Sequence, residues 1–232
     1  MKQIRRVLFF LSCVSVSALF GTSLTLGTNT GGNSFPFGGN GTRYQEAYAS
    51  SYFPGPIAIT AISFFGGGGN LYAGTYQVSL STITTSVNSL SNTNFNSNLG
   101  ANNTMFATVA LSGTAPATLT FTGGPFNYDP SQGNLLVDIQ IINPVSGSGS
   151  TGYQDGNGVG PAGIARYQNF GAGTTGYGMV TRFDYGPVIV VPTIPTLSQW
   201  GMLLLAGLLA AAGTLELHRR TRRRAGASAP RY

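Results

Sequence analysis

The chain has 232 residues, 42% of them hydrophobic and only 8% charged, with 34 glycines, a composition that suits one or two folded domains and excludes wholesale disorder. The formal net charge of +6 sits at the two ends, because residues 31–193 hold Arg43, Arg166 and Arg182 against Glu46, Asp129, Asp138, Asp155 and Asp184, a net of −2. A body without a basic stripe cannot neutralise phosphates, so nucleic acid is not a partner, and the single cysteine, Cys13, excludes an internal disulfide.

Residues 1–23 read as a secretory signal. Lys2, Arg5 and Arg6 form a basic start, and Val7 to Gly21 is apolar. Small residues allow cleavage after Ala18 (Val16-Ser17-Ala18) or after Ser23 (Gly21-Thr22-Ser23). The run is short for a membrane span, and Thr, Asn and Gly follow it rather than a charge cluster. Phe10-Leu11-Ser12 fits a lipid-attachment signal poorly, so Cys13 reads as a small apolar residue of the leader. Signal peptidase and the secretion machinery are the expected partners, and the body is expected outside the cytoplasm.

From about residue 35 to 191 the pattern is that of strands. Residues 57–64, 74–81, 105–111, 117–121, 135–142 and 179–185 alternate apolar with small or polar side chains and are rich in β-branched and aromatic types. Turns are expected at GGGGN 66–70, Gly123-Gly124-Pro125, Asp129 to Gly133 and Asn143-Pro144. Many short strands without helices between them predict an all-β fold, a β-sandwich. Residues 135–139 make the most buried strand, so Asp138 needs a partner from Arg43, Arg166 or Arg182. The Gly/Ser-rich stretch 145–163 reads as a long mobile loop within the domain or as a disordered insertion, with Tyr153 and Asp155 within reach of a ligand.

Catalytic chemistry finds little material in this body. The single histidine, His218, lies in the C-terminal arginine cluster, which leaves no Ser-His-Asp triad and no His-based zinc site. A glycosidase needs two facing carboxylates, but Asp129 precedes Pro130 in a turn, Asp155 precedes Gly156, and Asp138 is set to pair with an arginine. Asp155-Gly156-Asn157-Gly158 offers oxygen donors for calcium without the spaced carboxylates of a dedicated loop. GGGGN lacks the Lys-Ser/Thr and helix of a phosphate loop. No catalytic residue, metal or cofactor is therefore expected. The 11 Tyr and 14 Phe read as core, or else as a carbohydrate-stacking face.

The last segment has three parts. Ile194-Pro195-Thr196-Leu197 is followed after two residues by Trp200-Gly201, the only tryptophan of the chain. The continuous apolar run from Gly201 to Gly213 reaches a marginal span when Trp200 and Thr214-Leu215 are added, and Trp200 stands outside the helix as an interfacial anchor. Arg219, Arg220, Arg222, Arg223 and Arg224 then hold the tail on the cytoplasmic side. This order resembles the IPTL-CTERM sorting signal of Gram-negative bacteria, a relative of PEP-CTERM signals, over residues 194–224. The resemblance implies recognition by a membrane-embedded exosortase, a cysteine transpeptidase-like enzyme that cuts near the motif and passes the passenger to an acceptor at the cell surface. Stretches RYQEAYASSYFPGPIAITAISFF, GTYQVSLSTI and PFNYDPSQGNLLVDI resemble β-sandwich passengers of PEP-CTERM-type tails; in these the RYQ segment leads into a strand. The implied protein is a non-enzymatic surface or matrix protein, with exopolysaccharide as a neighbour. The alternative is a glycan-binding, adhesin-type module that stays anchored by its tail.

Overall fold

The computed structural model describes residues 21–39, 41–155, 164–168, 174–175, 178–188 and 197–227. The expected signal segment, residues 1–20, lies outside them. The chain divides into two units, residues 1–189 and 190–232.

The first unit is all β. Its strands are β1 Thr22–Leu26, β2 Gly31–Asn33, β3 Arg43–Tyr48, β4 Ile57–Phe65, β5 Gly74–Ile83, β6 Thr104–Leu111, β7 Thr118–Tyr128, β8 Asn134–Ile142, β9 Tyr153–Asp155, β10 Ile164–Gln168, β11 Thr174–Thr175 and β12 Thr181–Pro187. They form a four-stranded sheet in the order β1-β12-β4-β7, a six-stranded sheet β11-β10-β3-β8-β5-β6 and a small β2-β9 ribbon. Every pairing is antiparallel. The two larger sheets face each other across one core. Ile59, Ile62, Phe64, Phe121 and Phe183 come from one sheet; Tyr48, Tyr76, Val78, Leu80, Val137 and Ile139 come from the other. Phe37 is the hub of an aromatic cluster, with ring centroids 5.1 Å from Phe64, 5.2 Å from Tyr153 and 5.7 Å from Tyr76. This is the β-sandwich that period-two alternation predicts.

Three details differ from the expectations. Gly123-Gly124-Pro125 is not a turn. It lies inside β7, where the ladder passes from Ile59↔Phe126 to Ala61↔Thr122, so the three residues bulge opposite Thr60. The bulge shifts the inward set from Leu119 and Phe121 to Phe126 and Tyr128, all buried. Pro125 fits because β7 is an edge strand. Gly123 is required by proximity, since a Cβ there would stand 2.2 Å from the Phe106 carbonyl oxygen.

Secondly, the stretch expected as a mobile loop docks as far as it is described. β9 pairs with β2, and Tyr153 is buried with its hydroxyl donating to the Pro116 carbonyl at 3.0 Å. The GGGGN turn threads against it. Gly66 to Gly69 all have φ between 71° and 128°, and a Cβ on Gly67 would sit 2.3 Å from the Pro116 oxygen.

Thirdly, the sandwich begins at Thr22 rather than near residue 35. β1 pairs with β12 from Thr22↔Tyr185 to Leu26↔Thr181. The first and last strands thus run side by side, and the chain enters and leaves this unit at one corner.

The outer face of the six-stranded sheet carries a second, smaller core. Residues 84–103, with short 3-10 turns at Val87–Ser89 and Phe95–Asn98, lie over it. Val87, Leu90 and Phe95 pack there on Ala47, Ile83 and Leu136. The second unit holds one helix, α1, Leu197–Ala227.

Candidate functional site

Helix α1 starts two residues after Pro195, with Thr196 just before it, and both residue types favour a helix start. It continues for 31 residues without a break. Trp200 lies within its first turn, not outside it as the sequence suggested, and Gly201 follows. Ile194, Pro195 and Thr196 lie outside the described residues; Leu197 is the first residue of the helix. Residues Gly201–Thr221, 21 in number, are long and apolar enough to cross a membrane. At a rise of 1.5 Å per residue they cover about 32 Å, close to the roughly 30 Å hydrocarbon core of a bilayer. Met202, Leu203, Leu204, Leu205, Leu208 and Leu209 are all more than half exposed, an apolar sleeve on the helix.

The arginine cluster belongs to the same helix. Arg219, Arg220, Arg222, Arg223 and Arg224 occupy its last turns, where positive charge complements the helix dipole. Arg220 also meets Glu216 one turn earlier, at 3.2 Å.

Residues 193–224 match the IPTL-CTERM motif. The match covers the Ile-Pro-Thr-Leu string, the apolar helix and the arginines together, and it implies the C-terminal sorting signal of an exported, membrane-anchored precursor. No curated protein and no solved structure matches the chain.

Within the sandwich the acids are dispersed. Asp138 points to the outer face of the six-stranded sheet, where Arg43 Nε donates to its Oδ1 at 2.6 Å and Gln45 Nε2 at 3.0 Å. Of the three arginines weighed for it, Arg43 is the partner. Glu46, one residue along from Gln45, faces the opposite way, into the main core. It accepts from the Tyr44 hydroxyl at 2.9 Å, and Arg166 holds the register position opposite it on β10. Asp184 pairs with Arg182 at 3.1 Å on the four-stranded sheet. Asp129 caps a turn by accepting from the Ser131 amide at 2.9 Å. These four carboxylates therefore do not converge on one cleft. The side chain of Asp155 and residues 156–158 of the calcium candidate lie outside the described residues. Among the described residues no three His, Cys, Asp or Glu side chains gather as metal ligands.

The aromatics turn inward. Tyr44, Tyr48, Tyr76, Tyr128 and Tyr153 are fully buried, and no described Tyr or Phe side chain of the sandwich is more than partly exposed. Phe35, Tyr52, Phe65 and Tyr185 are the partly exposed members among the described residues. Burial, reinforced by Glu46, holds the Tyr48 phenol well above its usual pKa, which suits a structural donor to Thr181 Oγ1 at 2.8 Å.

One cluster escaped sequence reasoning. Asn98 Nδ2 donates to Gln45 Oε1 at 2.7 Å and to the Ser91 carbonyl at 2.7 Å, while Gln45 Nε2 also reaches the Phe95 carbonyl at 3.0 Å. Together with Arg43 donating to Asn96 Oδ1 at 3.3 Å, these bonds fasten residues 91–98 to the sheet. Two isolated amide side chains carry no periodic signal, so only the fold brings them together.

Proposed function

We propose that the chain is the precursor of a non-enzymatic surface or extracellular-matrix protein, in which the β-sandwich is the passenger and residues 194–224 are its address. The observation that carries this reading is the joint occurrence of the IPTL-CTERM match and a helix, long and apolar enough to cross a membrane, that ends in arginines. The arginines hold the C-terminus in the cytoplasm and so leave the sandwich in the periplasm. An exosortase-like transpeptidase in the same membrane reads Ile194 to Gly201, cuts the chain and passes the sandwich to a surface acceptor, in an exopolysaccharide-rich setting. The attacking thiolate needs a backbone carbonyl free of helical hydrogen bonds. Since α1 closes the backbone from Leu197 onward, the scissile bond is presented N-terminal to Leu197. Pro195 favours that arrangement, because it disfavours helix at Ile194. The passenger contributes a stable body: its acids serve ion pairs, a cap and a buried hydrogen bond.

Intact mass of the surface-exposed protein, from strains with and without the processing enzyme, tests this. The expected surface form lacks Leu197 and everything after it, and the enzyme-deficient strain accumulates the longer form in the membrane. A surface form that keeps Arg222 to Arg224 would refute processing.

A further inference from the structure

Peptide bonds near the N-terminus that satisfy the small-residue rule of signal peptidase include Ala18–Leu19, with Val16 and Ala18 before the cut, and Ser23–Leu24, with Gly21 and Ser23 before it. The fold separates them. Thr22 and Ser23 are already part of β1, paired with Tyr185 and Asp184 of β12. The Ser23–Leu24 bond therefore lies inside a strand of the sandwich. Ala18–Leu19 lies upstream of it, with Leu19, Phe20 and Gly21 between the bond and the first paired residue.

Loss of Thr22 and Ser23 would damage more than two residues. β1 is the outermost strand of its sheet and has β12 as its single neighbour. Cutting after Ser23 would remove two of the five paired positions and uncover the edge of β12 at Asp184 and Tyr185. It would also place a new ammonium on Leu24, which packs against the core opposite the fully buried Phe183. A charge there is costly beside apolar side chains. Thr22 further lines a groove of about 440 Å3 with Pro54, Pro56, Ile57 and Tyr185, at the corner where β12 leaves the sandwich.

We propose that signal peptidase hydrolyses the Ala18–Leu19 bond and spares Ser23–Leu24. One water is consumed, the carboxylate stays on Ala18 with the leader, and the new ammonium is on Leu19 of the mature chain. The mature protein then begins Leu19-Phe20-Gly21-Thr22, with β1 whole and β12 covered along its length. The inference rests on the export reading above, and its test separates the two.

The full-length chain is expressed in a Gram-negative host with its own leader, and its N-terminus is determined by sequencing and intact mass. The expected start is Leu19. A start at Leu24, or at any position other than Leu19 within the chain, overturns the assignment while leaving export in place. Retention of Met1 on all of the protein overturns the export reading itself. Two variants give a second measurement. Ala18→Arg should block cleavage and accumulate the precursor, whereas Ser23→Arg, at an exposed position facing Asp184, should still yield a chain beginning at Leu19. The reverse pattern would overturn the proposal.

Discussion

Asp138 is a buried carboxylate on the outer face of the six-stranded sheet. It stands between Val137 and Ile139, both buried in the main core, so alternation sends it to the other face of β8. A carboxylate at 1% exposure must have partners, and three arginines were available in the body. Register chooses among them. Gln45 lies directly opposite Asp138 and Arg43 lies two positions along β3, within diagonal reach. That choice was not legible, because the order β3-β8-β5 joins strands about 90 residues apart. Asp138→Ala leaves the guanidinium of Arg43 and the amide of Gln45 without their shared acceptor, and should lower stability by about 3–5 kcal/mol. Asp138→Asn keeps an acceptor oxygen of the same shape and should cost clearly less. Urea unfolding of both variants checks the order; equal losses would mean that the charge of the carboxylate, and not an acceptor oxygen at that place, carries the interaction.

Among the elements, α1 was the most legible in kind and the least legible in extent. Hydropathy marks the run from Gly201 to Gly213 and then fades. The helix continues because its backbone ladder does not depend on hydropathy, and Leu, Ala, Glu and Arg all favour helix over residues 214–227. For the same reason Trp200 falls within the first turn of the helix, immediately before the span. The strands show the converse. Their existence was legible from period two, but a bulge such as that at Gly123 to Pro125 uses the same residue types as a turn. Only the close approach of β6 to β7 distinguishes the two. If Gly201–Thr221 crosses the bilayer, charge must be costly at its middle and cheap at its end. Leu209→Arg places a guanidinium near the centre of the span, at about 2.5–3.5 kcal/mol, and should shift the protein out of the carbonate-resistant membrane fraction. Leu217→Arg, beside the existing arginines, should leave it there. Equal retention of the two variants would argue against a spanning helix.

At the scale of the whole molecule, the sandwich is held by aromatics that bring hydroxyl groups inside with them. The aromatic content of the chain was visible in composition, yet its side was not: the same tyrosines fit a ligand face or a core until the sheets were paired. Their burial has a consequence for alkaline stability. Burial raises the Tyr153 phenol to about 12, and raises those of Tyr48, Tyr76 and Tyr128 well above the ordinary range. In the unfolded chain each titrates near 10. Below about pH 10 both states keep these protons and stability is unaffected. Between about 10 and 12 the unfolded chain releases protons that the folded sandwich retains. Alkali then favours unfolding by about 1.4 kcal/mol per pH unit for each such tyrosine. The urea midpoint of the protein should therefore hold steady up to about pH 10 and fall steeply above it, with the ultraviolet tyrosinate signal of the buried set rising only as the sandwich unfolds. Tyr153→Phe loses the hydrogen bond to Pro116, roughly 1 kcal/mol at neutral pH, but should show a shallower decline above pH 10. A midpoint that stayed level from pH 10 to 12, or tyrosinate formation with the fold intact, would show that these hydroxyls are not sealed in the core.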